Sequence, residues 1–157
     1  MKRFLIFSDS HGYINSCIRL IDSLKPDAII HAGDIARDCV DLMSLYPELP
    51  MYCVNGNNDF STRFPLDLSV ETEAGKIFIT HGHEYRVKYE LGYSTLIKKA
   101  KAEGAIMCVF GHTHLPYTEV KDGITLLNPG SIRYTGTYGV CEIEDGKMKS
   151  CILSVNK

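Results

Sequence analysis

Hydrophobic and polar positions along the first half of the chain predict strands that alternate with helices. Residues 3–8, 28–31 and 51–54 are short apolar runs, long enough for buried strands and too short for helices. Between these runs, apolar residues recur at helical spacing over residues 14–24 and 39–46. This alternation favours a parallel α/β sheet.

The second half of the chain has a pattern typical of paired strands. One helix is predicted at residues 91–103, where Gly104 is placed to end it. Asp122-Gly123 and Asp145-Gly146 are hairpin turn signals, so we expect the tail to be antiparallel β-structure. The predicted strands are residues 66–70, 76–80, 106–110, 117–120, 124–127, 138–143 and 148–155. Because each sheet needs cover on both faces, the predicted fold is α/β, a four-layer α/β/β/α sandwich with two mixed β-sheets.

Composition and charge narrow the class of protein. The 157 residues fit one domain over residues 1–157, and 45% apolar residues suffice for a core. The net charge is −2 and the basic residues are spread along the chain, which argues against a nucleic-acid partner. The apolar run at residues 4–7 is too short for a signal peptide, and no run approaches membrane-spanning length. A cytoplasmic protein without membrane attachment is therefore expected.

The six cysteines include no Cys-x-x-Cys pair and fall mostly within apolar runs. This pattern indicates reduced thiols that behave as small buried hydrophobic residues rather than a disulfide framework or a zinc site.

Five of the predicted strands end in short polar loops that carry candidate metal ligands. The five loops are Asp9-Ser10-His11, Gly33-Asp34, Gly56-Asn57-Asn58-Asp59, His81-Gly82-His83 and Gly111-His112-Thr113-His114. Ligands of open α/β sheets bind beyond the carboxyl ends of the strands, so these loops can converge on one site. Carboxylate, amide and imidazole groups suit Mn²⁺, Fe²⁺ or Zn²⁺. Each loop alone is most often a surface turn, but five of them together at strand ends predict a metal centre.

This series of loops resembles the calcineurin-like metallophosphoesterase superfamily. The short chain and Asn128-Pro129-Gly130-Ser131 resemble its small bacterial and archaeal phosphodiesterase branch. The resemblance implies a metallo-dependent phosphatase-like sandwich that holds two divalent metal ions per chain, with Mn²⁺ expected and Fe, Zn, Ni or Co as alternatives. It assigns four side chains to each metal: Asp9, His11, Asp34 and His114 to one, and Asp34, Asn57, His81 and His112 to the other, with Asp34 bridging. The implied reaction is attack of a metal-activated hydroxide on a small-molecule or nucleotide-like phosphodiester.

Four further residues are catalytic candidates. Asn58 stands where many members of the superfamily carry a histidine thought to protonate the leaving group, and an amide cannot do so; the small branch commonly lacks this histidine as well. Asp59 either orients a ligand or caps its turn. His83 contacts phosphate or supports a ligand, and Arg133 contacts phosphate or lies on a surface loop. For His31, a structural hydrogen bond is favoured over a ligand role.

Two rival functions remain open at this point. The first is hydrolysis of phosphomonoesters at the same site. The second is a non-catalytic protein-interaction scaffold on the same fold, as in the retromer small subunit, where the resemblance includes eroded metal positions. The intact Asp34 favours an enzyme with a small-molecule phosphoester substrate. The sequence does not decide between a monomer and a homo-oligomer such as a dimer or a tetramer.

Overall fold

The structure, a computed structural model, describes residues 1–60 and 63–156. The strands are β1 (Lys2–Phe7), β2 (Ala28–His31), β3 (Met51–Cys53), β4 (Asp67–Thr72), β5 (Gly75–Thr80), β6 (Ala105–Val109), β7 (Tyr117–Lys121), β8 (Ile124–Asn128), β9 (Thr137–Glu144) and β10 (Lys147–Ser154). The α-helices are α1 (Asn15–Leu24), α2 (Ala36–Leu45) and α3 (Ser94–Ala102), and a short 3-10 helix spans His83–Tyr85.

The strands form two five-stranded mixed sheets. The first sheet has the order β10-β9-β1-β2-β3, in which β1, β2 and β3 are parallel to one another, β9 pairs antiparallel with β1, and β10 pairs antiparallel with β9. The second sheet has the order β4-β5-β6-β8-β7, in which β5, β6 and β8 run parallel. The parallel strands place their carboxyl ends at one edge of each sheet.

Alternation along the strands builds the layers. Phe4 and Ile6 of β1 point into the core between the two sheets, whereas Leu5 and Phe7 point to the opposite face beneath α1 and α2. In the second sheet Phe78 faces outward and packs with residues of α3. The predicted α/β/β/α sandwich with two mixed sheets is confirmed. No helix among the described residues is long and apolar enough to cross a membrane.

Two helices begin elsewhere than predicted. Helix α2 starts at Ala36 rather than at residue 39, because the Asp59 carboxylate accepts a hydrogen bond from the Ala36 amide at 2.8 Å. Helix α3 starts at Ser94 rather than at residue 91. Tyr93 has a left-handed backbone with φ 55°, and the Glu90 carboxylate accepts a bond from the Thr95 amide in the first turn.

The prediction of an entirely antiparallel tail was wrong at one strand. The two Asp-Gly turns do join antiparallel pairs, and all four of their residues have positive φ, as this hairpin type requires. However, β8 also pairs in parallel with β6, because β7 lies at the sheet edge and leaves the place beside β6 to β8. The prediction for the cysteines was wrong only at Cys151, which is exposed on the edge strand β10.

Candidate metal centre

The five polar loops lie together beyond the carboxyl ends of β1, β2, β3, β5 and β6. Backbone hydrogen bonds join neighbouring loops: the Asp9 amide donates to the Gly33 carbonyl at 2.9 Å, and the Gly111 amide donates to the His81 carbonyl at 3.1 Å. The loops of one sheet are therefore tied to each other before any side chain is considered. The two sheets then bring the two sets of loops face to face.

Two groups of side chains bring their ligand atoms within 4.8 Å of one another. The outer group is Asp9, His11 and His114, and the inner group is Asp9, Asp34 and His81. His81 has no exposed side-chain surface, whereas the side chains of His11 and His114 are 16% and 36% exposed. The outer group therefore faces the solvent side of the centre.

Asp9 is the residue that both groups share. Its Oδ1 lies 3.1 Å from Nε2 of His114, 3.8 Å from Nε2 of His11 and 3.9 Å from Nε2 of His81. Asp9 is fully buried, and within the described chain this oxygen has no hydrogen-bond partner. A buried carboxylate oxygen without a partner costs about 1–3 kcal/mol or more, and a bound cation removes that cost. The donor set at this point therefore fits a divalent metal ion.

Asp34 lies between the groups as a bridging ligand would. Its Oδ2 is 3.6 Å from Nε2 of His81 and 3.9 Å from Nε2 of His11. Asn58 holds this carboxylate, since its backbone amide donates to Oδ1 at 3.1 Å and its side-chain amide donates to Oδ2 at 2.8 Å. Asp34 therefore lies near imidazoles of both groups, as Asp9 does, and its assignment as a bridging ligand stays a prediction.

The hydrogen bonds of His81 identify which of its nitrogens can bind a metal. Nδ1 lies 2.7 Å from the Ala32 carbonyl, which can only accept, so Nδ1 carries the proton. Burial lowers the pKa of His81, so the ring is neutral and Nε2 presents a lone pair. That lone pair faces the Asn57 Oδ1, another acceptor, at 3.0 Å. Two acceptors aimed at each other suit a cation that both can ligate.

His112 lies next to the inner group without joining it. Its ring centroid is 5.0 Å from that of His81 and 6.1 Å from that of His83, and its backbone amide donates to Asp9 Oδ2 at 3.2 Å. His114, two residues along, instead packs against His11, with ring centroids 5.6 Å apart. The two imidazoles of this loop thus serve different sides of the centre. The assignment of His112 as a ligand stays a prediction.

Burial shifts the pKa values of one aspartate and two histidines of the centre. Burial, followed by the charge of Asp34, raises the pKa of Asp9 to about 7. Burial, followed by the nearby His81, lowers the pKa of His112 to about 4, and burial also lowers the pKa of His114. The Lys88 ammonium adds to the lowering at both of these histidines. Metal ions bind ionised carboxylate, so Asp9 must lose its proton when it binds a metal.

The backbone of the candidate ligands is strained. Among the described residues other than glycine, ten have positive φ. Five of these ten are candidate ligands: Asp9, His11, Asp34, His112 and His114. Such conformations cost about 1–3 kcal/mol each and cluster at functional sites. The glycines make the close approaches: a Cβ on Gly56 would overlap the Asp34 carboxylate, and a Cβ on Gly111 would overlap the Ser8 hydroxyl.

The four catalytic candidates occupy different surroundings. The Asp59 carboxylate accepts bonds from the amides of Asp34, Ala36 and Gly56. It caps its turn, as one of the two sequence interpretations stated, and fixes the Asp34 loop. Asn58 positions Asp34, as described above. His83 lies beside His81, with a ring-centroid distance of 5.5 Å.

Arg133 lies near the outer group but bonds to the protein backbone. Its Nη1 donates to the His11 carbonyl at 3.0 Å, and the guanidinium lies over the rings of Tyr13 and Tyr134, 4.6 and 5.0 Å from their centroids. Catalytic roles for all four candidates stay predictions.

Sequence analysis missed a buried network behind the centre. The Gly33 amide donates to His31 Nδ1 at 3.1 Å, so the Nε2 hydrogen of His31 points to Ser10 Oγ at 2.8 Å. The Ser10 hydroxyl then donates to the Asp38 carboxylate at 2.5 Å. The structural role expected for His31 fits this network. The sequence did not indicate that Asp38 belongs to this network, because an acidic residue in the first turn of a helix is common.

The fold and the site define a metal-dependent phosphoesterase class, and comparison with known proteins gives the same answer. The family model described as the calcineurin-like phosphoesterase superfamily domain matches residues 1–146. The chain belongs to this superfamily. A probable metallophosphoesterase, YsnB of Bacillus subtilis, is 34% identical over 149 residues, covering 90% of this chain and 84% of the relative. A phosphodiesterase of Methanocaldococcus jannaschii is 25% identical over 170 residues, covering 94% and 97%.

Solved structures share the same architecture. A conserved uncharacterized protein of Streptococcus pneumoniae, titled a predicted phosphoesterase, has a TM-score of 0.75 at 31% identity and covers 99% of this chain and 90% of its own. Vps29 of Entamoeba histolytica, solved in complex with zinc, has a TM-score of 0.75 at 18% identity and covers 98% and 99%. The second likeness shows the fold alone.

Proposed function

We propose that the protein is a binuclear metal-dependent phosphodiesterase acting on small-molecule or nucleotide-like phosphodiesters. The observation that carries the proposal is Asp9 Oδ1, which is buried, has no hydrogen-bond partner within the described chain and lies between three imidazoles. The family implies divalent metal use. Two groups that share this carboxylate support two ions, and Mn²⁺ suits their oxygen and nitrogen donors.

The candidate ligands form two sets, one for each metal ion. Asp9, His11 and His114 would hold one ion, and Asn57 and His81 would hold the other, with His112 at its side. Asp34 would serve both ions, since its Oδ2 lies within 4 Å of imidazole nitrogens of both groups. When bound, such ions lower the pKa of water and polarise a phosphoryl group. Asn58 and Asp59 keep the Asp34 loop fixed, so the ligand geometry needs little reorganisation on binding.

The proposed preference for phosphodiesters rests partly on residue 58, where a residue that protonates the leaving group could have stood. Asn58 is committed to Asp34 and, being an amide, supplies no proton. General acid catalysis is typically worth about 10²–10⁴-fold, so its absence weighs most on esters with poor leaving groups. The relative from M. jannaschii is named a phosphodiesterase. We therefore expect ready hydrolysis of bis-p-nitrophenyl phosphate and much slower hydrolysis of alkyl esters.

A metal-supplemented activity panel tests the proposal. Metal-free protein is loaded with Mn²⁺, its metal content is measured, and the hydrolysis of bis-p-nitrophenyl phosphate is compared with that of p-nitrophenyl phosphate and of alkyl aryl diesters. We expect two ions per chain, a preference for the diesters and rates that fall steeply as the leaving-group pKa rises. Asp34→Asn should lose both metal binding and activity. Retention of both ions and full rate in Asp34→Asn would refute the binuclear site.

The two rival functions give different results in the same panel. A phosphomonoesterase would prefer p-nitrophenyl phosphate. A non-catalytic protein-interaction scaffold on the same fold would give no turnover with any ester even when metal is bound. A leaving-group dependence that is flat, with chemistry rate-limiting, would instead indicate a general acid elsewhere in the site; His83 would then be the first residue to replace.

A further inference from the structure

Residues 131–134 contact all three residues of the outer group, two of them at their backbone carbonyls and the third at its side chain. The Ser131 hydroxyl donates to the Asp9 carbonyl at 2.8 Å. Arg133 donates to the His11 carbonyl at 3.0 Å. The Tyr134 ring stacks on His114, with a centroid distance of 5.3 Å and an interplanar angle of 23°. Three residues in one turn therefore contact Asp9, His11 and His114, one each.

The same segment is fixed from within and does not reach the rest of the inner group. The Tyr134 amide donates to the Ser131 hydroxyl at 2.9 Å, and the Ile132 amide donates to the Ser8 carbonyl at 3.2 Å. Within the described chain, none of the hydrogen bonds or ring contacts of residues 131–134 involves Asp34 or His81.

The side chains of the inner and outer groups differ in how far they are buried and in how they are held by neighbouring residues. His81 is fully buried, and its Nδ1 is fixed by the Ala32 carbonyl. The side chain of His114 is 36% exposed and its backbone has φ 62°, while its ring lies between His11 and Tyr134. Tyr134 also contacts the ring of His11, at a centroid distance of 5.6 Å. Both imidazoles of the outer group therefore take part of their orientation from one tyrosine.

We infer that residues 131–134 form a clamp that positions the outer group and selectively sets the affinity of the ion it holds. Tyr134 is the main positioning residue, and the Arg133 guanidinium lies over its ring. The inference rests on the metal-binding part of the proposed function. Residues that orient metal ligands typically contribute about 10–100-fold to metal affinity.

The test compares Tyr134→Ala with Tyr134→Phe in a Mn²⁺ titration of the metal-free full-length protein. The two affinities are resolved by calorimetry, and electron paramagnetic resonance reports whether the bound ions are coupled. Tyr134→Ala should weaken one of the two affinities about 10-fold or more and leave the other within about twofold. Tyr134→Phe should titrate like the wild type, because the phenyl ring keeps the stacking contact. Tyr89→Ala is the matched control, since Tyr89 is 79% exposed and, among the described residues, the one aromatic or cation–π contact of its ring is with Arg86.

Each outcome separates the clamp from the proposed function. A wild-type protein that binds no Mn²⁺ contradicts the proposed function and the clamp together. If the wild type binds two ions and Tyr134→Ala does too, with unchanged affinities, the clamp is wrong and the function stands. Equal loss of both affinities would mean that Tyr134 supports the whole centre rather than the outer group. A Tyr134→Phe variant as weak as Tyr134→Ala would assign the effect to the hydroxyl and overturn the stacking argument.

Discussion

Gly56→Ala should disable the metal centre by steric overlap alone. A Cβ at this position would lie within 3 Å of the Asp34 Oδ1, Cγ and amide nitrogen. The φ of Gly56 lies outside the left-handed region, so the backbone itself accepts alanine. The Asp34 carboxylate cannot simply rotate away, because Asn58 binds both of its oxygens. The substitution therefore acts on the position of one ligand.

The magnitude follows from the cost of overpacking. Forcing one extra carbon into a filled space costs about 1–3 kcal/mol. If the strain is relieved by moving the carboxylate, this cost reappears as lost metal binding of about 5–150-fold. Asp34 Oδ2 lies within 4 Å of ligand nitrogens in both groups, so both Mn²⁺ affinities should fall together. This result would differ from the one-sided loss expected for Tyr134→Ala.

The assay is the same Mn²⁺ titration, with melting curves of the metal-free proteins alongside. Gly92→Ala is the control, because a Cβ there would meet no atom within 4 Å and its φ is also outside the left-handed region. That variant should match the wild type in affinity and stability, within about 0.5 kcal/mol. Wild-type affinity in Gly56→Ala, with the fold intact, would refute the claim that the Asp34 carboxylate must hold this position to bind metal.

Three further predictions follow from burial and charge. A Mn²⁺ concentration about 100-fold above the Kd should stabilise the protein against unfolding by about 2.7 kcal/mol per site. This stabilisation raises the Tm by about 5–10 °C, and an unchanged melting curve would contradict a preformed site. The pKa of Asp9 near 7 means that metal binding displaces its proton at pH 6 but hardly at pH 8. Mn²⁺ affinity should therefore fall about tenfold per unit below pH 7, measured with proton release by calorimetry in two buffers; equal proton release at pH 6 and pH 8 would contradict it. A thiol reagent should modify one cysteine quickly in the native protein, because the other five thiols are buried. Cys151→Ser should remove this fast reaction, and fast modification of the Cys151→Ser variant would contradict the prediction.

That the candidate ligand loops lie together could be predicted from the sequence, because each loop directly follows an apolar strand. The place of Asp34 soon after β2, for example, can be seen in the sequence from the apolar run of the strand and the glycine beside Asp34. The start of α2 could not be predicted, because its cap is the Asp59 carboxylate, 23 residues away in sequence. The same contact decides the role of Asp59 as an anchor of the Asp34 loop. Interactions of this kind depend on the folded position of both partners.

The clamp formed by residues 131–134 also could not be predicted from the sequence, because it depends on contacts between distant parts of the chain. The sequence around Tyr134 does not distinguish this residue from residues of other exposed turns. His11, whose ring it contacts, lies more than a hundred residues earlier in the chain. The contact exists because β9 returns to pair with β1, which brings the turn before β9 to the loop after β1. The sequence could indicate both strands separately, but not that they are neighbours in one sheet. The sequence left Arg133 as either a phosphate contact or a surface residue, and it could not indicate the bond of Arg133 to the His11 carbonyl.

The buried Ser10–His31–Asp38 network shows why the direction of hydrogen bonds matters more than the residue types. A serine nucleophile needs a neighbouring imidazole that accepts its proton. Here the His31 nitrogen nearest to Ser10 is the donor, because the other nitrogen accepts from the Gly33 amide. Burial also lowers the pKa of His31 to about 4, so its ring stays neutral at physiological pH. The Ser10 proton is committed to Asp38. The network therefore cannot activate Ser10, and its effect is to hold the loop between Asp9 and His11 against the start of α2.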